Sequence, residues 1–299
     1  MTAKVEPRFG RMIPAMVTPF DENRDLDLAK AQALANRLVE GGSDSLIING
    51  TTGESPTVFY PQKIELFRAI VSAIGGKVPV IANVGDNCTA DTVDFAKEVT
   101  GLGVDGIMLV VPYYNKPPQE GLYQHFKTIA QAVDVPVILY NIPGRCVVNM
   151  EAETTLRLAH EIENIVAVKE ASGNMKQIKQ IIDESPDDFW VYSGDDEATL
   201  EIMKMGGTGV ISTIGNVAPA RMKEIVELAA AEDYDGALAA HEKLQPLMHE
   251  LFTTSNPILV KEALKLSGFP VGGVRLPLVD ATQEQSDKLG AVMREVGVL

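Results

Sequence analysis

The chain has 299 residues, 45% hydrophobic and 22% charged, enough apolar material for a sizeable core without disulfide staples. Lysine and arginine total 26 against 41 aspartates and glutamates, and the resulting charge of −15 argues against nucleic acid or an anionic membrane surface as the main partner. Two cysteines, Cys88 and Cys146, argue against a disulfide scaffold or a multi-cysteine zinc site, and no apolar run approaches the roughly 20 residues of a membrane span.

The opening residues MTAKVEPRFGRM lack an apolar signal-peptide core, so a soluble, cytoplasmic protein is expected. Apolar, β-branched runs then recur at 12–17, 45–49, 78–83, 106–111, 135–141, 165–170, 189–194 and 208–214. They are nearly continuous rather than alternating, as in strands buried on both faces of a parallel sheet. Helical spacing fills the gaps. Residues 26–40 put Leu28, Ala31, Leu34, Ala35 and Leu38 on one stripe before Gly41-Gly42, and 61–74 opens on Pro61. Residues 89–101 open with Thr89 as the expected N-cap and stop at Gly101. The segments 119–132, 151–161, 174–184, 195–205 and 216–230 complete the series. Eight right-handed βα units predict a closed (β/α)8 TIM barrel. An open doubly wound sheet is the alternative, weakened because no GxGxxG follows the first strand. Beyond about residue 225 the strand signal ends, and 232–251, 256–267 and 281–296 read as helices. A barrel over 1–224 with a C-terminal helical domain over 225–299 is therefore expected.

In such a barrel the reactive side chains come from the C-terminal ends of the strands and the loops after them. Lys169 ends the apolar run IVAV and should point into the barrel mouth with its stem desolvated. Burial lowers a lysine pKa, and a neutral amine is the nucleophile that forms a Schiff base with a ketone. The same residue could instead snorkel to the rim or pair with Glu170. Tyr140, at the same height on the neighbouring strand, suits proton transfer if its pKa is lowered from about 10; otherwise it is a core tyrosine. The turn Gly50-Thr51-Thr52-Gly53 offers amides and hydroxyls to a carboxylate, and Arg145 can take one bidentately. Tyr113 and Tyr114 suit packing or an interface. His125, His160, His241 and His249 share no metal-ligand spacing and are expected to be solvated or capping; no metal site is predicted. Asp195-Asp196 could bind a metal, but reads more simply as the first turn of a helix, complementing its dipole.

Together these loops resemble the pyruvate-dependent class I aldolase superfamily, and most closely its dihydrodipicolinate synthase branch. The matching stretches are Gly50-Thr51-Thr52-Gly53-Glu54-Ser55, PYYNKPPQEGLYQHF (112–126), Tyr140-Asn141-Ile142-Pro143 with Arg145, and Val168-Lys169-Glu170-Ala171. Further matches are Ser193-Gly194-Asp195-Asp196, Gly209-Val210-Ile211-Ser212 and Asn256-Pro257. The resemblance covers the chain from about residue 11 onward. It implies that Lys169 forms an imine with pyruvate and that Tyr140, Thr52 and Tyr114 form a proton relay, Tyr114 reaching into a neighbouring subunit. Thr51, Thr52 and their amides would hold the pyruvate carboxylate, and Arg145 that of L-aspartate 4-semialdehyde. Gly194 and the Ile211 carbonyl would line the pocket. The implied product is 4-hydroxy-tetrahydrodipicolinate, on the route to diaminopimelate and lysine. No metal or organic cofactor is implied, and a homotetramer built as a dimer of dimers is. The sister reaction is cleavage of a 2-keto-3-deoxy sugar acid or 4-hydroxy-2-oxoglutarate, and a non-catalytic keto-acid sensor is a third reading. Where the family commonly has Ser or Thr after the arginine, this chain has Cys146. Lysine-inhibited relatives bind lysine through residues matching Ser55, Pro56, Tyr60, Lys63, Asn87, Asp91 and Tyr113. An ammonium at Lys63 should repel that of the inhibitor, so weak feedback is expected.

Overall fold

The structure is a computed structural model that describes residues 6–299. In chain order it runs β1 (Met12–Pro14), α1 (Leu28–Glu40), β2 (Leu46–Ile48), α2 (Tyr60–Ile74), β3 (Val80–Asn83), α3 (Thr89–Thr100), β4 (Gly106–Val110) and α4 (Gln119–Ala130). Next come β5 (Val137–Asn141), the one-turn α5 (Pro143–Cys146), α6 (Ala152–Glu161), β6 (Ile165–Glu170) and α7 (Met175–Glu184). The barrel part ends with β7 (Trp190–Ser193), α8 (Thr199–Lys204), β8 (Gly209–Ser212) and α9 (Pro219–Ala230). Then follow α10 (Tyr234–Glu250), α11 (Ile258–Leu266) and α12 (Gln283–Glu295). Residues 224 and 225 both lie within α9.

From β2 to β8 each strand pairs in parallel with the next, and β1 pairs with β8. The ring is completed where Met16 N donates to the Ile47 carbonyl at 2.9 Å, beside a parallel bridge between Ala15 and Ile47. This is a (β/α)8 barrel with a helical extension. Strand alternation separates two apolar layers. Ile13, Ile47, Ile81, Met108, Ile138, Ala167 and Ile211 fill the barrel interior, while Leu46, Val80, Leu109, Leu139 and Val168 meet the surrounding helices. Both sides of each strand are thus dry, which is why the runs carry so few polar residues.

The helices bury the stripes read from the sequence. On α1, Ala31, Leu34, Ala35 and Leu38 are buried, and each leucine contributes about 1.5–3 kcal/mol. Asp27 caps that helix by accepting from Lys30 N at 2.8 Å. Three local expectations fail. Cys88 rather than Thr89 occupies the N-cap of α3, because the Thr89 hydroxyl is engaged with His125 Nδ1 at 2.9 Å. Asp195-Asp196 do not open a helix, for α8 begins only at Thr199. The Asp196 carboxylate is instead buried, accepting from the Ser212 hydroxyl at 2.6 Å and from Thr213 N and Ile214 N at 2.9 Å. His125 and His241 are buried rather than solvated, and burial lowers the pKa of both, that of His125 to about 4.

The C-terminal helices pack back on the barrel. Buried Ile258, Leu259, Val260, Ala263 and Leu264 anchor α11, with Lys261 buried among them. Residues 268–277 then cross to the mouth, where Phe20 N donates to the Val271 carbonyl at 2.9 Å. At Gly272 (φ +73°) a Cβ would lie 2.0 Å from the Phe20 carbonyl oxygen, so only glycine permits this crossing. Among the described residues no helix is long and apolar enough to cross a membrane.

Candidate active site

The register Tyr140–Lys169–Tyr192 places these three side chains at one height, and the alternation turns them inward. Glu170, one residue on, turns outward. Its carboxylate accepts from Asn141 Nδ2 at 2.9 Å, Gln177 Nε2 at 3.0 Å and the Ser172 hydroxyl at 2.6 Å. A Lys169–Glu170 pair is therefore ruled out by the pleat. Lys169 is buried, its Nζ lies 4.3 Å from the centre of the Tyr140 ring, and it makes no hydrogen bond or ion pair with the described residues. Burial lowers its pKa to about 8; the nearby Arg145 charge adds to this, and the Asp196 carboxylate opposes it. At pH 7 about a tenth of such amines are neutral, against fewer than about one in a thousand for an exposed lysine.

Gly194 makes room for this stem. A Cβ there would lie 2.7 Å from Ala171 Cβ and 3.1 Å from Lys169 Cε. Ile211 is buried in the interior layer. For Tyr140 burial pushes the pKa up to about 12, although the neighbouring Thr51 hydroxyl and Arg145 pull it down. The free chain therefore presents a protonated phenol, a proton donor rather than a base.

Residues 49–55 form the loop after β2, with left-handed backbone at Asn49 (φ +62°) and Glu54 (φ +55°). The Thr18 hydroxyl holds it by donating to the Gly53 carbonyl at 2.6 Å. The two threonines separate. Thr51 reaches Tyr140, whereas Thr52 is buried and its hydroxyl accepts from Asn256 Nδ2 at 2.9 Å. Thr51 is thus the threonine hydroxyl that meets the Tyr140 phenol, while the Thr52 hydroxyl is engaged on the other side of the turn.

A cavity of about 370 Å³ opens in front of this group. Thr51, Tyr140 and Arg145 line it together with Ser55, Pro56, Lys63 and Tyr113. Lys169 itself is not on the cavity wall; its Nζ sits over the ring of Tyr140, which is. Tyr60, Asn87 and Asp91 are not on the wall: the Tyr60 hydroxyl donates to Glu98, Asn87 Nδ2 donates to the Tyr113 carbonyl at 3.1 Å, and Asp91 lies in the first turn of α3. Tyr114 is 89% exposed, with φ +75°, and touches none of this. Cys146 lines the cavity as a buried thiol whose pKa burial raises to about 11. Burial lowers the Lys63 pKa, with Asp86 opposing. No cluster of three His, Cys, Asp or Glu side chains able to hold a metal occurs among the described residues.

The model of the dihydrodipicolinate synthetase family matches residues 8–296. The chain belongs to this family. It is 54% identical over 292 residues to the 4-hydroxy-tetrahydrodipicolinate synthase of Moorella thermoacetica, covering 98% of this chain and 100% of that one. It is 48% identical to the Bacillus subtilis protein of the same name, covering 96% and 99%. Among solved structures it resembles DHDPS from Cyanidioschyzon merolae with lysine bound, at a TM-score of 0.96 and 44% identity, covering 98% and 100%.

Within this family fold, sequence reasoning passed over four side chains that shape the site. Asp196, which its sequence position suggests is a helix-dipole carboxylate, lies close enough to Lys169 to affect its charge. Asp86 lines the same cavity as Lys63 and favours its charged form. Lys261 and Arg275 hold the threonine loop from outside. Lys261 carried a usable signal: it is a cation inside the apolar stripe ILVKEAL of α11.

Proposed function

We propose that this chain condenses pyruvate with L-aspartate 4-semialdehyde to 4-hydroxy-tetrahydrodipicolinate through an imine on Lys169. The observation that carries this reading is a buried amine without an ion-pair partner, set against a protonated tyrosine at the mouth of a parallel barrel. The names of the close relatives support the choice of acceptor over a sugar acid.

The neutral fraction of Lys169 adds to the pyruvate carbonyl carbon and forms a carbinolamine. Tyr140, as an acid, protonates the departing hydroxyl, and water leaves as the imine forms. The resulting phenolate, stabilised by the Thr51 hydroxyl and the Arg145 charge, is then the base that takes a proton from the pyruvate methyl group to give the enamine. The enamine carbon adds to the aldehyde carbon, and Tyr140 returns the proton to the new alkoxide. The acceptor's ammonium gives one proton to the Tyr140 phenolate, and the free amine attacks the imine carbon to close the ring; a second proton passes from the ring nitrogen to the Lys169 nitrogen, which leaves as the free amine. Thr51 and the loop amides hold the pyruvate carboxylate, and Arg145 holds that of the acceptor. Gly194 and Ile211 shape the space beside the lysine stem. In this scheme Thr52 supports the loop rather than relaying protons, and no metal or organic cofactor takes part.

Tyr114 enters the relay from a second copy of the chain, which gives a reason for its full exposure and left-handed backbone. This requires a homo-oligomer, taken as a dimer of dimers. The same reading sets the reaction in the cytoplasm, where an exposed thiol such as Cys88 stays reduced. The test is a coupled assay of pyruvate plus aspartate semialdehyde with the downstream reductase, alongside borohydride trapping of pyruvate. Turnover together with a reduced adduct at Lys169 is expected. A larger kcat/KM for sugar-acid cleavage than for condensation would refute the acceptor assignment.

A further inference from the structure

Three segments far apart in sequence meet behind the threonine loop. Glu54 ends that loop, with left-handed backbone and a buried carboxylate. Lys261 Nζ, from α11, lies 2.5 Å from Glu54 Oε1, and the backbone N–H of Arg275 donates to Oε2 at 2.9 Å. Both cations rest on the Phe20 ring, at 4.1 Å for Lys261 Nζ and 4.2 Å for the Arg275 guanidinium. Each is tied down again: Lys261 donates to the Gly273 carbonyl at 2.9 Å, and Arg275 to the Thr57 carbonyl at 2.7 Å and Gln62 Oε1 at 2.8 Å. Asn256, from the same extension, grips Thr52 at 2.9 Å. The loop thus shows Thr51 to the cavity while the C-terminal extension holds it by its other side.

An apolar pair of similar volume would fill this site at no cost in stability, since desolvating two charges offsets much of their attraction. What an ion pair adds is a single geometry: the carboxylate must meet the ammonium on one side and the Arg275 amide on the other. We propose that Lys261 and Arg275 are positioning residues that act through Glu54 to set Thr51 and the loop amides at the height of the keto-acid carboxylate. The C-terminal extension is then part of the pyruvate-binding apparatus. The proposal rests on the pyruvate reading given above.

The test compares Lys261→Met, Glu54→Gln and the double variant in the full-length protein, measuring unfolding midpoint, kcat and KM for each substrate. Lys261→Met strands the Glu54 charge, so both a lower midpoint and an increase of about tenfold in the pyruvate KM are expected. The double variant is neutral. It should regain the midpoint yet keep a pyruvate KM raised about tenfold, with the aldehyde KM within about twofold of wild type. A double variant with restored midpoint and wild-type pyruvate KM overturns the positioning role. Should the double variant not fold, Glu54→Gln decides, because it keeps the side-chain volume and the Arg275 contact. A rise of about threefold or more in its pyruvate KM is expected, and an unchanged KM overturns the proposal. Borohydride trapping of pyruvate on the wild type is the control: its absence overturns the Schiff-base reading and this proposal together, whereas a wild-type-like variant overturns the proposal alone.

Discussion

Replacing Lys169 by methionine should abolish turnover and make the protein more stable. The lysine is buried, and its pKa falls from 10.5 to about 8, mainly through burial. That difference corresponds to about 3 kcal/mol by which the charged amine disfavours the folded state. The sign follows from proton counting. Below pH 8 the amine is protonated in both states, and the full cost is present. Between pH 8 and 10.5 the unfolded chain holds the extra proton, so wild-type stability rises with pH and the cost disappears. Methionine keeps a comparable stem without the charge. The Lys169→Met variant should therefore be more stable than wild type by up to about 3 kcal/mol at pH 7, and this gain should shrink towards zero by about pH 10.5. Urea unfolding of both proteins at several pH values and one fixed chain concentration measures the difference, since any subunit association makes midpoints concentration-dependent. No gain at pH 7, or a gain that grows with pH, would refute the claim that Lys169 is held in a desolvated site. The stability lost to this amine is what makes it a nucleophile near neutral pH.

Removing the guanidinium with Arg145→Ala should raise the aldehyde KM by about 10- to 150-fold, the equivalent of 1.5–3 kcal/mol for a charge-assisted pair, while borohydride trapping of pyruvate persists. Because Arg145 also helps lower the Lys169 pKa, the pH limb of trapping should move to higher pH in this variant; collapse of trapping at every pH would show that the arginine serves pyruvate instead. Gly194→Ala sets a methyl group 3.1 Å from Lys169 Cε and 2.7 Å from Ala171 Cβ, so trapping should slow by about tenfold or more, and an unchanged rate would mean that the stem can move aside. Lysine should inhibit weakly, because the Lys63 amine already sits in a half-buried cavity wall and a second ammonium beside it is repelled; half-inhibition at sub-millimolar lysine would contradict this.

The barrel was legible in the sequence because a parallel strand covered on both faces has no room for polar residues. Eight such runs separated by helical stripes admit few other arrangements. Lys169 was legible for the same reason, as a cation ending a run that is otherwise dry. What the sequence left open was direction. Whether Lys169 met Glu170 depended on the pleat, which sends the two to opposite faces. Which threonine faces the phenol depended on the path of a turn with left-handed residues at both ends. Asp195-Asp196 matched a helix start, but three donors at the end of β8 and just beyond it, 16 to 18 residues away, claimed the Asp196 carboxylate. Lys261 and Arg275 stand more than 200 residues from Glu54, and no local pattern joins them.

By itself, then, the sequence determined where apolar faces repeat, hence the barrel, the extension and the amine at the end of β6, because periodicity and burial are local properties of the chain. Only the tertiary structure decided which polar groups meet at the mouth and which charge shifts which pKa. Those depend on distances across the ring of strands and back from the C-terminal helices, and Coulomb and hydrogen-bond energies are set by separation in space rather than along the chain.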